Sequence, residues 1–425
     1  MQQKATNRSE ALAWFMWGTV CLYFLYQFFV RVAPTVLDRE LMVYFSLTAP
    51  SFGTLCGYYY FSYALLQLPV GLIVDKYGPR CVSAIACVTC GLGSWLFVCC
   101  QDYAVAAVGR ILAGVGSAAA FIAAIKIGLN WFKKLDKAFV NNLTITIGTL
   151  GACAGAPLFA YAKQFVDWRE ILVLISVFGV ILGIVIFAFV RNYPKGENHV
   201  DTPHKENISI WEGLKLIMKS GQCWLAYLYI LFLYAPLSGF ADMWGVPFIK
   251  AIYGIDVVKA SSISNMMYVG TIIGGPLFAW FSTARKGRKI CLWTGTIISA
   301  VSFTAAVFIP GISCFMFALC MFFVGFGSVG GFTVYTVAVE IMPPAVSGTI
   351  TGVVNMFSMV SGVILQPFLG WIIKQTWDGT IIDGLPVYSA YSYTVATSVV
   401  IICLFISLAF IPFFKESFPG KQTAK

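Results

Sequence analysis

Charge and histidine are both scarce in this chain. Charged residues make up 11% of its 425 positions, against about 25% in a soluble globular domain, and they come in clumps between long uncharged runs. A water-soluble fold is excluded, and the 59% hydrophobic content belongs to a chain that crosses a membrane many times. The two histidines, His199 and His204, sit together in the polar middle, so a histidine proton relay within the membrane is excluded. Also missing are a GxSxG turn, an HExxH pair and any soluble stretch long enough to hold an active site, which argues against an enzyme. No filter loop or pore-lining polar stripe points to a channel, and no large soluble portion points to a receptor. Neither a cofactor nor a metal is expected. The thirteen cysteines lie almost all in apolar runs. The CVTC pair Cys87 and Cys90 reads as packing, because a metal site needs more ligands nearby.

What is abundant is hydrocarbon. A span needs roughly 20 apolar residues, and runs of that kind fall near 12–37, 49–74, 81–100, 103–130, 139–163 and 169–191, then near 222–249, 260–283, 290–310, 313–340, 347–373 and 389–414. The first run follows a polar start, is too long for a signal core and has no cleavage site, so it reads as a retained helix. The expected fold is an all-α polytopic membrane protein of twelve transmembrane helices. It divides into a six-helix half over 1–191, a linker over 192–221 with the short amphipathic piece IWEGLKLIMKS, and a second six-helix half over 222–425. With the N-terminus inside, the inner segments hold 19 Lys and Arg residues and the outer ones six. Both termini are therefore expected in the cytoplasm, the chain lying in an inner (plasma) membrane. The net charge of +10 is accounted for by this topology and calls for no nucleic acid. A monomer is expected, since one chain holds both halves.

An internal repeat is visible. LPVGLIVDKYGPR between runs 2 and 3 and LFAWFSTARKGRK between runs 8 and 9 superpose on Gly78 and Gly287, 209 residues apart. In the first copy Gly71, Asp75, Lys76, Gly78 and Arg80 match, position by position, a loop signature of the major facilitator superfamily, which the chain resembles. GRILAGVGSAAA, with Arg110, Gly114 and Gly116, resembles that family's fourth-helix pattern, and TLGACAGAP and DWRE agree more weakly. The resemblance implies two six-helix halves rocking about a midplane site, with runs 1, 4, 7 and 10 lining the cavity. It also implies a gate in which Asp75 caps a helix end and pairs with an arginine. Because the acidic position of the second copy falls on Thr283 or Ala284, that gate is expected to work mainly from the first half. Arg110 takes the family's coupling role, or serves as a buried hydrogen-bond hub. FFVRVAPTVLDREL, ADMWGVPFI and TITGVVNMFSMVSGVILQPFLGWI are similar to the phagosomal transporter family of intracellular bacterial pathogens, whose members take up amino acids or nucleosides.

A charge inside a span costs on the order of 3 kcal/mol, so an intramembrane ion is a candidate for function. Arg31 in run 1 lies 44 residues ahead of Asp75, close to the spacing at which organic-phosphate members of the superfamily carry a substrate-binding arginine. Shifting it by the repeat lands on 239–244, a window that contains Asp242. The expectation is that Arg31 takes a solute carboxylate while Asp242 takes an amino group or the coupling proton. The alternatives are that Arg31 snorkels to the outer headgroups and that Asp242 sits solvated in the outer vestibule near Lys250. Lys126 reads as a snorkelling anchor. Tyr59 and Tyr63 share a helix face and, with Tyr335 and Asn355, are further candidates for solute contact. Asn265 and Gln366 serve contacts of this kind or hydrogen bonds between helices. The function expected is proton-coupled uptake of a small polar solute, an amino acid or similar carboxylate. The alternatives are an organic-anion or organic-phosphate exchanger and a small-molecule exporter.

Overall fold

The computed structural model describes residues 2–99, 101–132, 137–194, 210–343, 346–382 and 385–417. All twelve apolar runs are helical there. The first is α1 (Gln2–Val32), prolonged by a 3-10 turn (Ala33–Val36) and the short α2 (Asp38–Tyr44). Then come α3 (Ala49–Tyr77), α4 (Pro79–Leu96), the pair α5 (Tyr103–Ser117) and α6 (Ala120–Trp131), α7 (Lys137–Ala162) and α8 (Trp168–Phe189). The amphipathic piece is α9 (Ile210–Lys219). Run 7 is α10 (Gly221–Leu233), a π-helical stretch (Pro236–Trp244) and α11 (Gly245–Tyr253). After it follow α12 (Val257–Ala284), α13 (Lys289–Phe308), the pair α14 (Cys314–Phe332) and α15 (Val334–Glu340), α16 (Ser347–Gln375) and α17 (Ala390–Phe410). A two-residue hairpin, Ile381–Ile382 with Leu385–Pro386, interrupts the loop before α17. Linker residues 195–209, His199 and His204 among them, lie outside the described residues.

Nine of these segments are long and apolar enough to cross a membrane. The other three, α3, α4 and α12, are helical but carry more polar residues, such as Tyr58–Tyr60 and Gln67, Arg80, and Asn265. Helix starts follow local chemistry. The side chains of Asp102, Asp167, Ser220, Asp256, Ser313 and Ser389 accept the first orphan N–H groups of their helices, a cap worth about 1 kcal/mol. Thr48 and Ser51 form a reciprocal capping box at the start of α3.

The two most extensive contacts between the first six runs and the last six are α3 along α16 and α7 on α12, and run 1 also meets run 7. The first two are equivalent under the repeat, since run 2 meets run 11 and run 8 meets run 5. Glycine permits the α3–α16 approach. A Cβ on Gly53 would lie 2.8 Å from the Cα of Pro367, and one on Gly370 would lie 2.8 Å from the carbonyl carbon of Ala49. Backbones this close exchange dispersion over their whole length. Both glycines lie toward the end that the basic residues assign to the outside, called outer below. There Phe52 meets Trp244 edge to face and Trp244 Nε1 donates to Gln366 O at 3.1 Å, so the outer end is packed shut.

Candidate functional site

Arg31 closes the last turn of α1, and Asp242 lies in the π-helical stretch of run 7. Pro236 has no N–H to continue α10, and the wider turns that follow re-aim the side chains after it. The two charges, 211 residues apart, form an ion pair between the halves, with Arg31 4% and Asp242 2% exposed. Arg31 Nε donates to Asp242 Oδ2 at 3.0 Å and to the Tyr60 hydroxyl at 2.8 Å, and Nη2 donates to the Tyr234 hydroxyl at 2.9 Å. Tyr60 donates to the same carboxylate oxygen, and Tyr268 donates to Oδ1. The guanidinium also lies over the rings of Tyr60 (4.8 Å), Phe28 (5.2 Å) and Tyr234 (5.9 Å). Cation–π contacts of this sort reach about 2 kcal/mol when desolvated. Both carboxylate oxygens, and Nε and Nη2 of the guanidinium, therefore have partners, which favours burial of the ion pair. Arg31 does not snorkel. Asp242 is not in a vestibule with Lys250, whose partner is Asp38.

Arg110 is a hub. It is 3% exposed, donates through Nη1 to Val30 O at 3.4 Å, and lies over the rings of Tyr59 (5.0 Å) and Phe97 (5.5 Å). Its Nε has no acceptor among the described residues. It faces a void of about 10 Å³ walled by Val30, Ser94 and Phe97, room for roughly one water. Tyr59 donates to Gln27 Oε1 at 2.7 Å, and Tyr63 stacks on Tyr59 at 6.2 Å. Tyr59 thus bonds within the first half and Tyr63 lies beside Gln67 and Asn355, while the adjacent Tyr60, turned about 100° round the helix, reaches the ion pair. Asn355 Nδ2 donates to Gln67 Oε1 at 2.7 Å, across the halves on the cytoplasmic side of the ion pair. Tyr335 donates to Asn355 Oδ1 at 3.3 Å. Asn265 Nδ2 donates to the carbonyls of Ala152 (3.2 Å) and Cys153 (2.5 Å), tying α12 to α7. Cys87 and Cys90 are buried in packing contacts with Gly179 O and Ser117.

The loop residues differ from expectation in their partners. Asp75 pairs with Lys126 on α6, not with an arginine, and Lys126 is thus no simple anchor. The side chain of Asp75 is 65% exposed, which puts the pair in water-like dielectric. Gly78 takes φ of +82° to turn α3 into α4, and a Cβ there would run into the Asn192 side chain. Arg80 donates through Nε (2.9 Å) and Nη2 (2.5 Å) to Phe187 O, capping the end of α8. Lys76 lies over the Tyr77 ring at 5.1 Å. A Cβ on Gly71 would meet nothing within 4 Å, so packing does not require glycine there in this conformation. The second copy is not without an acidic partner, although its own acidic position falls on Thr283 or Ala284. Arg288 forks onto Glu340 at the end of α15 through Nη2 (2.6 Å) and Nε (3.2 Å). Lys289 Nζ caps the 3-10 turn after α17 (Ile411–Phe413) at Pro412 O (2.7 Å), much as Arg80 caps α8. The acid comes from another helix, which a comparison of loops alone does not reveal.

Sequence reasoning missed Tyr60, Tyr234 and Tyr268. Tyr60 was one of three consecutive tyrosines, and Tyr234 and Tyr268 had no charge to single them out. Among the described residues no cluster of three or more His, Cys, Asp or Glu forms a metal site.

The chain is similar to several bacterial transporters. An uncharacterized transporter of Bacillus subtilis, YybO, is 24% identical over 90% of this chain and 92% of its own length. The hexuronate transporter of the same species is 24% identical over 78% of this chain and 81% of its own length. A probable galactarate/D-glucarate transporter of Escherichia coli is 21% identical over 81% and 84%. Among solved structures, a bacterial homolog of the human lysosomal transporter Spinster superposes with a TM-score of 0.75 at 17% identity, over 94% of this chain and 96% of that one. The nucleoside transporter NupG follows with a TM-score of 0.74 at 14% identity, over 93% and 99%. The family model of the Major Facilitator Superfamily matches residues 18–367, and with the helical architecture just described the chain belongs to that superfamily, a multi-pass membrane transporter and not an enzyme.

Proposed function

We propose that the chain takes up a small carboxylate-bearing solute together with a proton, by alternating access, with Arg31 as the anion ligand and Asp242 as the proton carrier. The observation that carries this reading is the buried Arg31–Asp242 pair between the halves. A guanidinium can match a solute carboxylate two bonds to two, and Asp242 already occupies Arg31 through one carboxylate oxygen, Oδ2, which accepts from both Nε and Nη2. When a solute takes that place, Asp242 is left buried without a cation, and a buried carboxylate is far costlier than a neutral acid. A proton on Asp242 removes the conflict, so anion and proton enter together. The names of the relatives support a carboxylate, since hexuronate and galactarate/D-glucarate are carboxylates. The opposite charges at the site favour a second reading, an amino acid: its ammonium would take Asp242, and no proton would be needed.

Arg110 has the coupling role in this scheme. It bonds the carbonyl of Val30, the residue before Arg31, and so transmits a shift of Arg31 to α5. Tyr335 and Asn355, with Gln67, form the thinner closure on the cytoplasmic side of the site, and Asp75 with Lys126 holds the inner loop. The chain works as a monomer in a bacterial inner membrane with both termini in the cytoplasm, its halves spanning 1–191 and 222–425.

A thermal-shift screen of purified protein against sugar acids, dicarboxylates, amino acids and sugar phosphates tests the reading. A ligand at a hundredfold its Kd stabilises by about 2.7 kcal/mol. A sugar-acid response lost in Arg31→Gln and preserved in Asp242→Asn supports anion-plus-proton uptake. An amino-acid response lost in both variants supports the zwitterion. A response that ignores Arg31 overturns both.

A further inference from the structure

Arg110 lacks what Arg31 has. The two guanidinium groups are equally deep, at 3% and 4% exposure, but Arg31 meets Asp242 while Arg110 forms no ion pair among the described residues. The acids that open α5 and α8 are engaged elsewhere. Asp102 accepts the Val105 N–H and Asp167 the Arg169 N–H, each at 2.9 Å. What Arg110 does have is meagre. Its Nη1 reaches Val30 O at 3.4 Å, a long bond. That carbonyl is open to it because the residue four further on is Pro34, which has no N–H to give. The rings of Tyr59 and Phe97 add cation–π attraction, and Nε is left without an acceptor. An arginine cannot shed its charge by losing a proton, and a buried charge without a counter-charge is strongly destabilising. A group of opposite sign is called for.

The void beside Arg110 has room for one. At about 10 Å³ it holds a single water-sized particle, so a carboxylate or a phosphate does not fit. Its walls include Val30, Ala33 and Pro34 from the end of run 1, Ser94 of α4 and Ala113 of α5. Among the described residues Arg110 and Ser94 are its only polar lining, and Ser94 Oγ already donates to Cys90 O at 2.8 Å. A water here finds at most two partners, the lower bound for a buried water, and leaves the charge as it is. A monatomic anion accepts the same Nε–H and cancels the charge. We propose that this void is a binding site for a single halide-type anion, chloride in a cell, held by Arg110 inside the first half. The site does not depend on what Arg31 binds. With the anion in place the guanidinium is anchored, and through Val30 O so is the turn of α1 that carries Arg31. The stability of the first half thereby depends on chloride.

The test has two arms, both on the purified, detergent-solubilised protein. Crystals grown with bromide in place of chloride should show an anomalous scattering peak beside Arg110 Nε. In the second arm chloride is titrated into a sulfate background at constant ionic strength, sulfate being too large for the void. The melting temperature should rise along a saturating curve, and at ten times the Kd the folded-to-unfolded ratio rises about elevenfold. Ala113→Val adds two methyl groups to a wall of the void and keeps Arg110, so it should remove both the peak and the response. The double variant Arg31→Met with Asp242→Leu, which takes away the other buried cation, should keep both. No peak together with a flat titration overturns the site and leaves the void to a water. A saturating response that survives Ala113→Val also overturns it, as does one that disappears in the double variant, since chloride then acts elsewhere.

Discussion

Removing one member of the buried Arg31–Asp242 pair should cost far more than removing both. In Asp242→Asn, Arg31 keeps its charge at 4% exposure with only neutral partners around it, the new amide, the hydroxyls of Tyr60 and Tyr234 and three aromatic rings. An uncompensated buried charge destabilises by about 3–5 kcal/mol. Arg31→Met leaves the opposite charge stranded, softened by Tyr60 and Tyr268, which still donate to it. It should therefore sit at the lower end of that range. The double variant Arg31→Met with Asp242→Leu buries no charge, and an apolar replacement of a buried pair is often neutral or better. The assay is a double-mutant cycle on reversible unfolding in mixed micelles, with the coupling read as the departure from additivity. A coupling of at least about 3 kcal/mol is expected, with the double variant more stable than either single one. Additive losses refute the reasoning, since they mean that neither charge depends on the other.

Other residues yield sharper geometric tests. Gly53→Val places a branched side chain where even a Cβ lies 2.8 Å from Pro367 Cα; it should part α3 from α16, read as a longer distance between spin labels on the outer ends of those helices. Gly78→Ala pays for both a φ of +82° and the Asn192 side chain, so a loss of about 1–3 kcal/mol is expected in the same unfolding assay. Asp75→Asn should lose less than about 1 kcal/mol, and less still in high salt, because the pair is exposed. Glu340→Gln, which breaks a half-buried fork with Arg288, should lose more than Asp75→Asn at equal salt.

The ion pair was legible because three facts converge: a charge in hydrocarbon needs a partner, the chain repeats itself, and the repeat offset carries position 31 onto a window with one acid. The tyrosines around it were not. A helix phase decides which of Tyr58, Tyr59 and Tyr60 points at Arg31, and the π-helical turns of Pro236–Trp244 shift the phase on the other side. The breaks between α5 and α6 and between α14 and α15 fall in stretches of small residues with no proline to mark them. The pairing of Glu340 with Arg288 is a tertiary fact. The loop comparison that found no acid at Thr283 or Ala284 was correct about the sequence and incomplete about the site.

Uptake into proteoliposomes under an imposed pH gradient tests the central claim most directly, with labelled D-glucuronate and a sugar acid identified by the thermal screen as probes. The account predicts that the wild type accumulates the anion when the outside is acidic. Arg31→Gln should abolish uptake altogether. Asp242→Asn should lose gradient-driven accumulation yet retain counterflow of labelled against unlabelled solute, because the anion site remains while the proton carrier is gone. Accumulation that persists in Asp242→Asn would contradict the account, and a wild type that performs counterflow but never responds to the pH gradient would make the protein an anion exchanger.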